Sequence, residues 1–152
     1  QSSVDWSLCQ FDPHKGMTQC LTDLNHLYTS QPELHEIDFS WDGFKWIDFH
    51  DSDQSSVAFM RRGKNPDEFI VCVFNFTPVP RENFRMGVPV KALYKEIFNS
   101  DSSIYGGGNI GNAGAVMADE APWQEYPYSL SITLPPLAGV FFRVVGEKPA
   151  DK

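Results

Sequence analysis

The chain has 152 residues, of which 41% are hydrophobic, 21% charged and 14% aromatic, enough for one domain with its own core. Twenty acidic residues against 12 basic ones give a net charge of −8, and an acidic surface repels phosphates, which argues against nucleic acid and anionic membranes as partners. A neutral ligand suits that surface, and 12 Phe, 5 Tyr and 4 Trp supply rings for sheet packing or for stacking on sugars.

The opening QSSVDWSLCQ lacks the basic start and apolar core of a secretory signal. Its first residue, Gln1, reads as a processing site or as the interior of a longer protein. Apolar side chains then recur at Met17, Cys20, Leu21, Leu24, Leu27 and Tyr28, which is helical spacing with one apolar stripe. Asp12 before Pro13 is a start signal, a capping carboxylate ahead of a first-turn proline. Pro32 marks the far end, because the residue before a proline avoids helix. The spacing predicts a helix from about Pro13 to Ser30.

From Glu36 onward the pattern changes to strands and turns. FKWIDF (44 to 49) follows Asp42-Gly43, a hairpin-turn pair. SVAFMRR (56 to 62) and EFIVCVFNF (68 to 76) flank a loop at Gly63–Asp67. The second of these runs is apolar almost throughout, which places it centrally with both faces covered. Pro78 and Pro80 cannot donate ladder bonds, so they end it, and the stretch through Arg81 and Arg85 to Pro89 reads as a rigid corner. LYKEIFN (93 to 99), the alternating SLSITLP (129 to 135) and GVFFRVV (139 to 145) follow. Short strands separated by turns indicate an antiparallel β-sandwich preceded by one helix. The tail 147–152 is expected to fray.

No motif carries obvious chemistry. Gly106–Gly111 fits G-x-G-x-x-G, but no buried strand precedes it and no helix follows, so a flexible surface loop is expected. Asp51–Ser55 resembles the start of a calcium loop, yet Ser56 and Arg62 stand where glycine and glutamate are required, leaving an acidic turn. Asn75-Phe76-Thr77 is a formal glycosylation acceptor at a strand end, expected to be unmodified. Cys9, Cys20 and Cys72 show no C-x-x-C spacing, and the histidines complete no zinc pattern, so reduced cysteines of a cytosolic protein and no metal are expected. No carboxylate pair stands out as acid and base, and G-x-S-x-G is missing. No catalytic residue and no cofactor is assigned. Trp41, Trp46, Trp123 and Tyr126 lie near turns or strand ends, and Trp6 lies near the start. Packing between elements or a sugar-stacking platform are the two readings of these rings.

Several stretches, Val4–Leu8, DLNHLYTSQPELHEIDF (23 to 39), GFKWIDFHDSDQSSVAFMRR (43 to 62), FNFTPVPRENFRMGVP (74 to 89), IFNSDSSIYGG (97 to 107) and SLSITLPPLAGVFF (129 to 142), together resemble the C-terminal end of bacterial 1,4-α-glucan (glycogen) branching enzymes of the α-amylase superfamily. The resemblance implies a (β/α)₈ catalytic barrel upstream that holds the reacting Asp and Glu. It also implies an activity that cuts an α-1,4 linkage through a covalent glycosyl intermediate and passes the chain to a 6-hydroxyl. Residues 1–36 would then be the last loop and helix of the barrel, and 37–146 an all-β C-terminal domain. The expected partners are the barrel and α-glucan. This chain itself is expected to be non-catalytic and cytoplasmic, stabilising the barrel, with auxiliary glucan contacts at Trp6, Trp41, Trp46, Trp123 or Tyr126. The other reading is an autonomous α-glucan-binding module.

Overall fold

In the computed structural model, which describes residues 4–48 and 55–145, a 3-10 turn at Trp6–Gln10 leads into α1 (Asp12–Ser30) and a one-turn α2 (Pro32–His35). Asp12 is the first residue of α1 and not its cap. The cap is Phe11, which offers no side-chain acceptor, and the Asp12 carboxylate pairs instead with Lys15 at 3.3 Å. Pro13 sits in the first turn, where a missing N–H costs nothing. Pro32 ends α1 by holding Gln31 in extended backbone, φ −108° and ψ 103°, and itself opens α2.

Among the described residues eight strands follow: β1 (Phe44–Asp48), β2 (Ser56–Arg62), β3 (Phe69–Asn75), β4 (Arg81–Val88), β5 (Leu93–Asn99), β6 (Ala115–Met117), β7 (Tyr128–Leu134) and β8 (Ala138–Val145). They form a six-stranded sheet in the order β1-β2-β3-β8-β5-β6 and a two-stranded sheet β4-β7. Every pairing is antiparallel. The mainly β sandwich with one long leading helix is the expected fold.

β3 is interior, and Phe69 through Val73 are all buried. Its Phe69, Val71 and Val73 point into the core between the sheets with Met60, Tyr94 and Phe142, against Phe84, Met86, Leu130, Ile132 and Leu134 of the small sheet. Its Ile70 and Cys72 face outward with Phe98 and Phe141, where Cys20, Leu24 and Leu27 of α1 and Leu34 of α2 cover them.

Several expectations are corrected. Asp42-Gly43 makes no hairpin; Trp41–Gly43 is a 3-10 turn capped by the Ser40 hydroxyl. A Cβ on Gly43 would lie 1.9 Å from the Ile37 carbonyl oxygen, so a close backbone approach is what requires glycine here. Pro78 and Pro80 do follow the end of β3. Arg81–Val88 is nevertheless a full strand of the second layer and not a corner. Its pattern is hidden by a bulge: the pairing with β7 shifts between Arg81 and Phe84, and Asn83 has φ 55°, which breaks the alternation. The glycine-rich loop is fastened rather than flexible. The Asp101 carboxylate accepts from the Gly108 amide at 2.9 Å and the Ile110 amide at 3.0 Å. Asn75 is buried, its amide donating to the carbonyls of Val79 and Pro135 at 2.9 and 3.0 Å, so it is not presented as a glycosylation acceptor. The acidic turn at 51–54 and the tail at 147–152 lie outside the described residues.

A buried ion pair ties α2 to the sheet. The Glu33 side chain is 1% exposed and stands 3.0 Å from the Arg143 guanidinium of β8. Removing one partner of such a pair strands a charge in the interior. Arg143→Ala is therefore expected to cost about 3 kcal/mol of unfolding free energy in urea titrations. A loss indistinguishable from zero would show that the pair does not hold α2.

Candidate functional site

The apolar stripe of α1 divides into two flanks. Gly16, Cys20, Leu24 and Leu27 form the docked flank. A Cβ on Gly16 would lie 2.2 Å from the Tyr105 carbonyl oxygen, so glycine lets the helix backbone touch the loop after β5. The contact is locked by the Tyr105 hydroxyl, which donates to Asp23 at 2.9 Å. Burial, and then the bond to Asp23, push that hydroxyl well above the usual tyrosine range.

The other flank faces water. Met17 is 62% and Leu21 52% exposed, and Tyr28, Phe11, Leu8 and Trp6 are exposed as well. Near its end, the Tyr28 hydroxyl donates to Asp38 at 2.8 Å, and Asp38 also accepts from Arg61. Arg61 in turn donates to the Leu34 carbonyl oxygen at 2.9 Å. The bond from Arg61, followed by that from Tyr28, holds the Asp38 carboxyl below its ordinary range.

The five aromatic candidates are not brought together. Trp6 is exposed on the first 3-10 turn, and Trp41, like Phe39, is exposed. The Trp46 indole packs edge-on against Phe44 at 4.9 Å and Phe59 at 5.8 Å. It begins an aromatic strip that continues through Phe74, Phe141 and Phe98 across the sheet. Tyr126 is only 8% exposed and belongs to the core, with the Lys45 ammonium 4.9 Å from its ring centre. A core ring offers no face to a sugar.

Trp123, like Trp46 at 44% exposure, stands at the wall of a cleft. It is 46% exposed and forms part of the wall of a cleft of about 560 Å³, together with Asp48, Glu82, Asn83, Arg85 and Gln124. Residues 123 to 126 make a tight turn, closed by paired backbone bonds of 3.0 and 2.9 Å between Trp123 and Tyr126. Both central residues are left-handed, Gln124 at φ 48° and Glu125 at φ 66°. Such a turn ordinarily uses Asn-Gly, which is why no turn signal marked it in the sequence. Gln124 donates to Asp48 at 2.5 Å and accepts from the Gly87 amide at 3.0 Å, pinning the turn to β1 and β4. Arg85 donates to the Ser129 hydroxyl at 3.0 Å.

Other carboxylates are used structurally: Glu36 by Lys64, Glu96 by Asn112 and Asp101 by loop amides. Among the described residues no group of three His, Cys, Asp or Glu side chains is placed to hold a metal. All three cysteines are free, and burial pushes the Cys72 thiol up to about 12. Among the described residues no helix is long and apolar enough to cross a membrane.

The sequence pattern of the family described as "Alpha amylase, C-terminal all-beta domain" matches residues 46–145, from β1 to the end of β8. The chain belongs to that family. Among its relatives, the 1,4-alpha-glucan branching enzyme GlgB of Cellvibrio japonicus is 47% identical over 93% of this chain and 19% of the relative. The GlgB of Nitrosococcus oceani is 47% identical over 99% of the chain and 20% of the relative, and that of Aquifex aeolicus 43% over 96% and 23%. The chain thus spans about a fifth of the length of the curated relatives it matches. Both α1 and the all-beta domain lie within the matched stretch of the Nitrosococcus relative, which takes in nearly the whole chain.

The lowered Asp38 carboxyl makes stability depend on pH. Its contribution is fully present above the unfolded value of about 4 and is lost as pH falls through the lower folded value. Asp38→Asn is expected to flatten that part of the acid limb when urea midpoints are compared at about pH 5 and about pH 2.5. An unchanged acid limb would remove Asp38 from the network.

Proposed function

We propose that this chain is the non-catalytic C-terminal part of a 1,4-α-glucan branching enzyme, and that the exposed flank of α1 seats it on the catalytic barrel. In this reading residues 1–36 complete the barrel and 37–146 form the all-β domain, working in the cytoplasm on glycogen-like glucan. The parent would transfer α-1,4-glucan chains to make α-1,6 branches, with the reacting carboxylates on the barrel.

The observation that carries the proposal is the double use of α1. One flank is already spent on the sandwich, while Met17, Leu21 and Tyr28 remain in water beside Phe11, Leu8 and Trp6. A helix normally shows one apolar face to one core and a polar face to solvent. A second apolar flank, contiguous with an apolar 3-10 turn, is the mark of a surface meant to be covered. The names of the relatives, with about four fifths of each lying outside the match, support a barrel as the partner. A barrel of roughly 250 residues exceeds the length of this whole chain.

Leu21 separates the docked and undocked states. In the 152-residue chain, Leu21→Glu is expected to leave the melting temperature within about 2 °C, because the side chain is already in water. In a full-length branching enzyme carrying this C-terminal sequence, the same change is expected to lower it by about 4 °C or more. Equal shifts in the two proteins would contradict the docking. The chain alone is expected to form no branches on amylose, and measurable branching would contradict the non-catalytic assignment.

A further inference from the structure

We infer that an apolar knob formed by Phe76, Val79 and Leu137 is a second seat for the barrel, and that its occupant is an apolar hollow among the barrel's catalytic-face loops. The inference rests on the reading of the parent as an enzyme whose barrel ends in α1, and it names a contact that α1 does not make. The knob is built where the chain twice crosses between the layers, at 76–80 from β3 to β4 and at 135–137 from β7 to β8. The two crossings lie side by side. Asn75 is paired with Ala138, and the Leu137 amide donates to the Thr77 carbonyl oxygen at 2.9 Å.

Three features mark the knob as a surface made to be covered by protein. First, Phe76, Val79 and Leu137 are 61%, 55% and 69% exposed, and Pro78 and Pro80 beside them are exposed as well. The patch is therefore apolar on a stiff backbone. Second, Leu137 has φ 49°. A bulky side chain in left-handed backbone is strained, and this one is also held out in water. Third, the polar side chains at the base of the knob are already used. The Asn75 amide donates to the carbonyls of Val79 and Pro135 at 2.9 and 3.0 Å, and its oxygen accepts from the Thr77 hydroxyl at 2.7 Å. The three protruding side chains are hydrocarbon, which suits an apolar protein surface and gives a hydroxyl-rich ligand nothing to bond.

Position picks out the occupant. Phe76 stacks on Phe74, with ring centres 6.2 Å apart and planes 8° from parallel. Phe74 packs on the outer cluster that α1 covers, so the knob opens toward the side of α1. It also lies at the end of the sheet where α1 begins. Ser100, just past β5, donates its amide to the Gly139 carbonyl oxygen of β8 at 3.0 Å, and its hydroxyl accepts from the Gly139 amide at 3.0 Å. The loop that follows carries Tyr105, whose backbone meets Gly16 near the start of α1. In a (β/α)₈ barrel each helix starts beyond the C-terminal end of a strand, on the face whose βα loops carry the active site. A barrel that ends in α1 therefore brings that face to the knob's end of the sheet. About four fifths of each relative lies outside the match, which leaves ample chain to cover both α1 and the knob.

The test compares Leu137→Gly in the 152-residue chain and in a full-length branching enzyme carrying this C-terminal sequence. Glycine relieves the left-handed backbone, so the melting temperature of the 152-residue chain is expected to hold within about 2 °C or to rise. In the full-length enzyme the same change is expected to lower it by about 3 °C or more. Amide exchange there is expected to speed up in the βα loops of the barrel and not in the αβ loops of its opposite face. Val79→Ser, which trims a side chain already in water, is the companion variant and is expected to destabilise the full-length enzyme only. Equal shifts of the two proteins under either variant, or faster exchange confined to other parts of the enzyme, would overturn the inference. Self-association of the 152-residue chain that Leu137→Gly abolishes would overturn it too, by giving the knob to a second copy. The Leu21→Glu comparison keeps this inference apart from the parent reading. If Leu21→Glu shows α1 docked while the Leu137 and Val79 variants shift both proteins alike, the knob alone is refuted.

Discussion

Residues 69 to 73 put apolar side chains on both faces of the large sheet, so water has to be excluded on two sides at once. The small sheet β4-β7 answers for the inner face. Among the described residues no third sheet lies on the outer face, and α1 with α2 supplies its cover. Leu34 reaches the outer cluster, Glu33 pairs with Arg143 at its edge, and Gly16 lets α1 come down to backbone contact with the loop after β5. The helix is thereby a layer of the domain and not an appendage, even though the family pattern begins only at residue 46.

A helix enlisted as a layer has limited surface left for anything else. α1 meets this by carrying two adjacent apolar rows, Cys20, Leu24 and Leu27 inward and Met17, Leu21 and Tyr28 outward. The proposed barrel contact would use the outward row. In that reading α1 would be a wall shared by the two domains. On the far layer, the strain at Asn83 and Gln124 builds a cleft that owes nothing to the helix.

Much of the fold was legible because its signals are local. The period of 17 to 28 with Asp12-Pro13 before it marked α1 to within a residue at its start, and the apolar run at 69 to 74 marked an interior strand. β4 was not legible, since Arg81, Glu82 and Asn83 at a bulge read as a loop, and β6 is only three residues long. The glycine-rich loop looked loose because its fastening is the Asp101 carboxylate, several residues away in sequence. Five aromatic residues looked alike in the sequence. Their difference is tertiary: Tyr126 is sealed in the core, Trp46 joins an aromatic strip, and Trp123 stands at a cleft whose walls come from residues 48, 82 to 85 and 124. The turn at Gln124-Glu125 carried no glycine or asparagine to announce it. The family, by contrast, was readable from long continuous stretches, which do not depend on how the chain is folded.

The central claim is that α1 folds as a layer of this domain in the absence of any partner. Amide hydrogen exchange on the 152-residue chain tests it most directly, by comparing opening free energies in α1 and β3. The account predicts that the amides of Cys20, Leu24 and Leu27 exchange with protection close to that of Val71 and Val73, through the same global opening. Exchange of the α1 amides near the rate of an unfolded peptide, with β3 still protected, would contradict it and make the helix a loose extension of an independent β-sandwich.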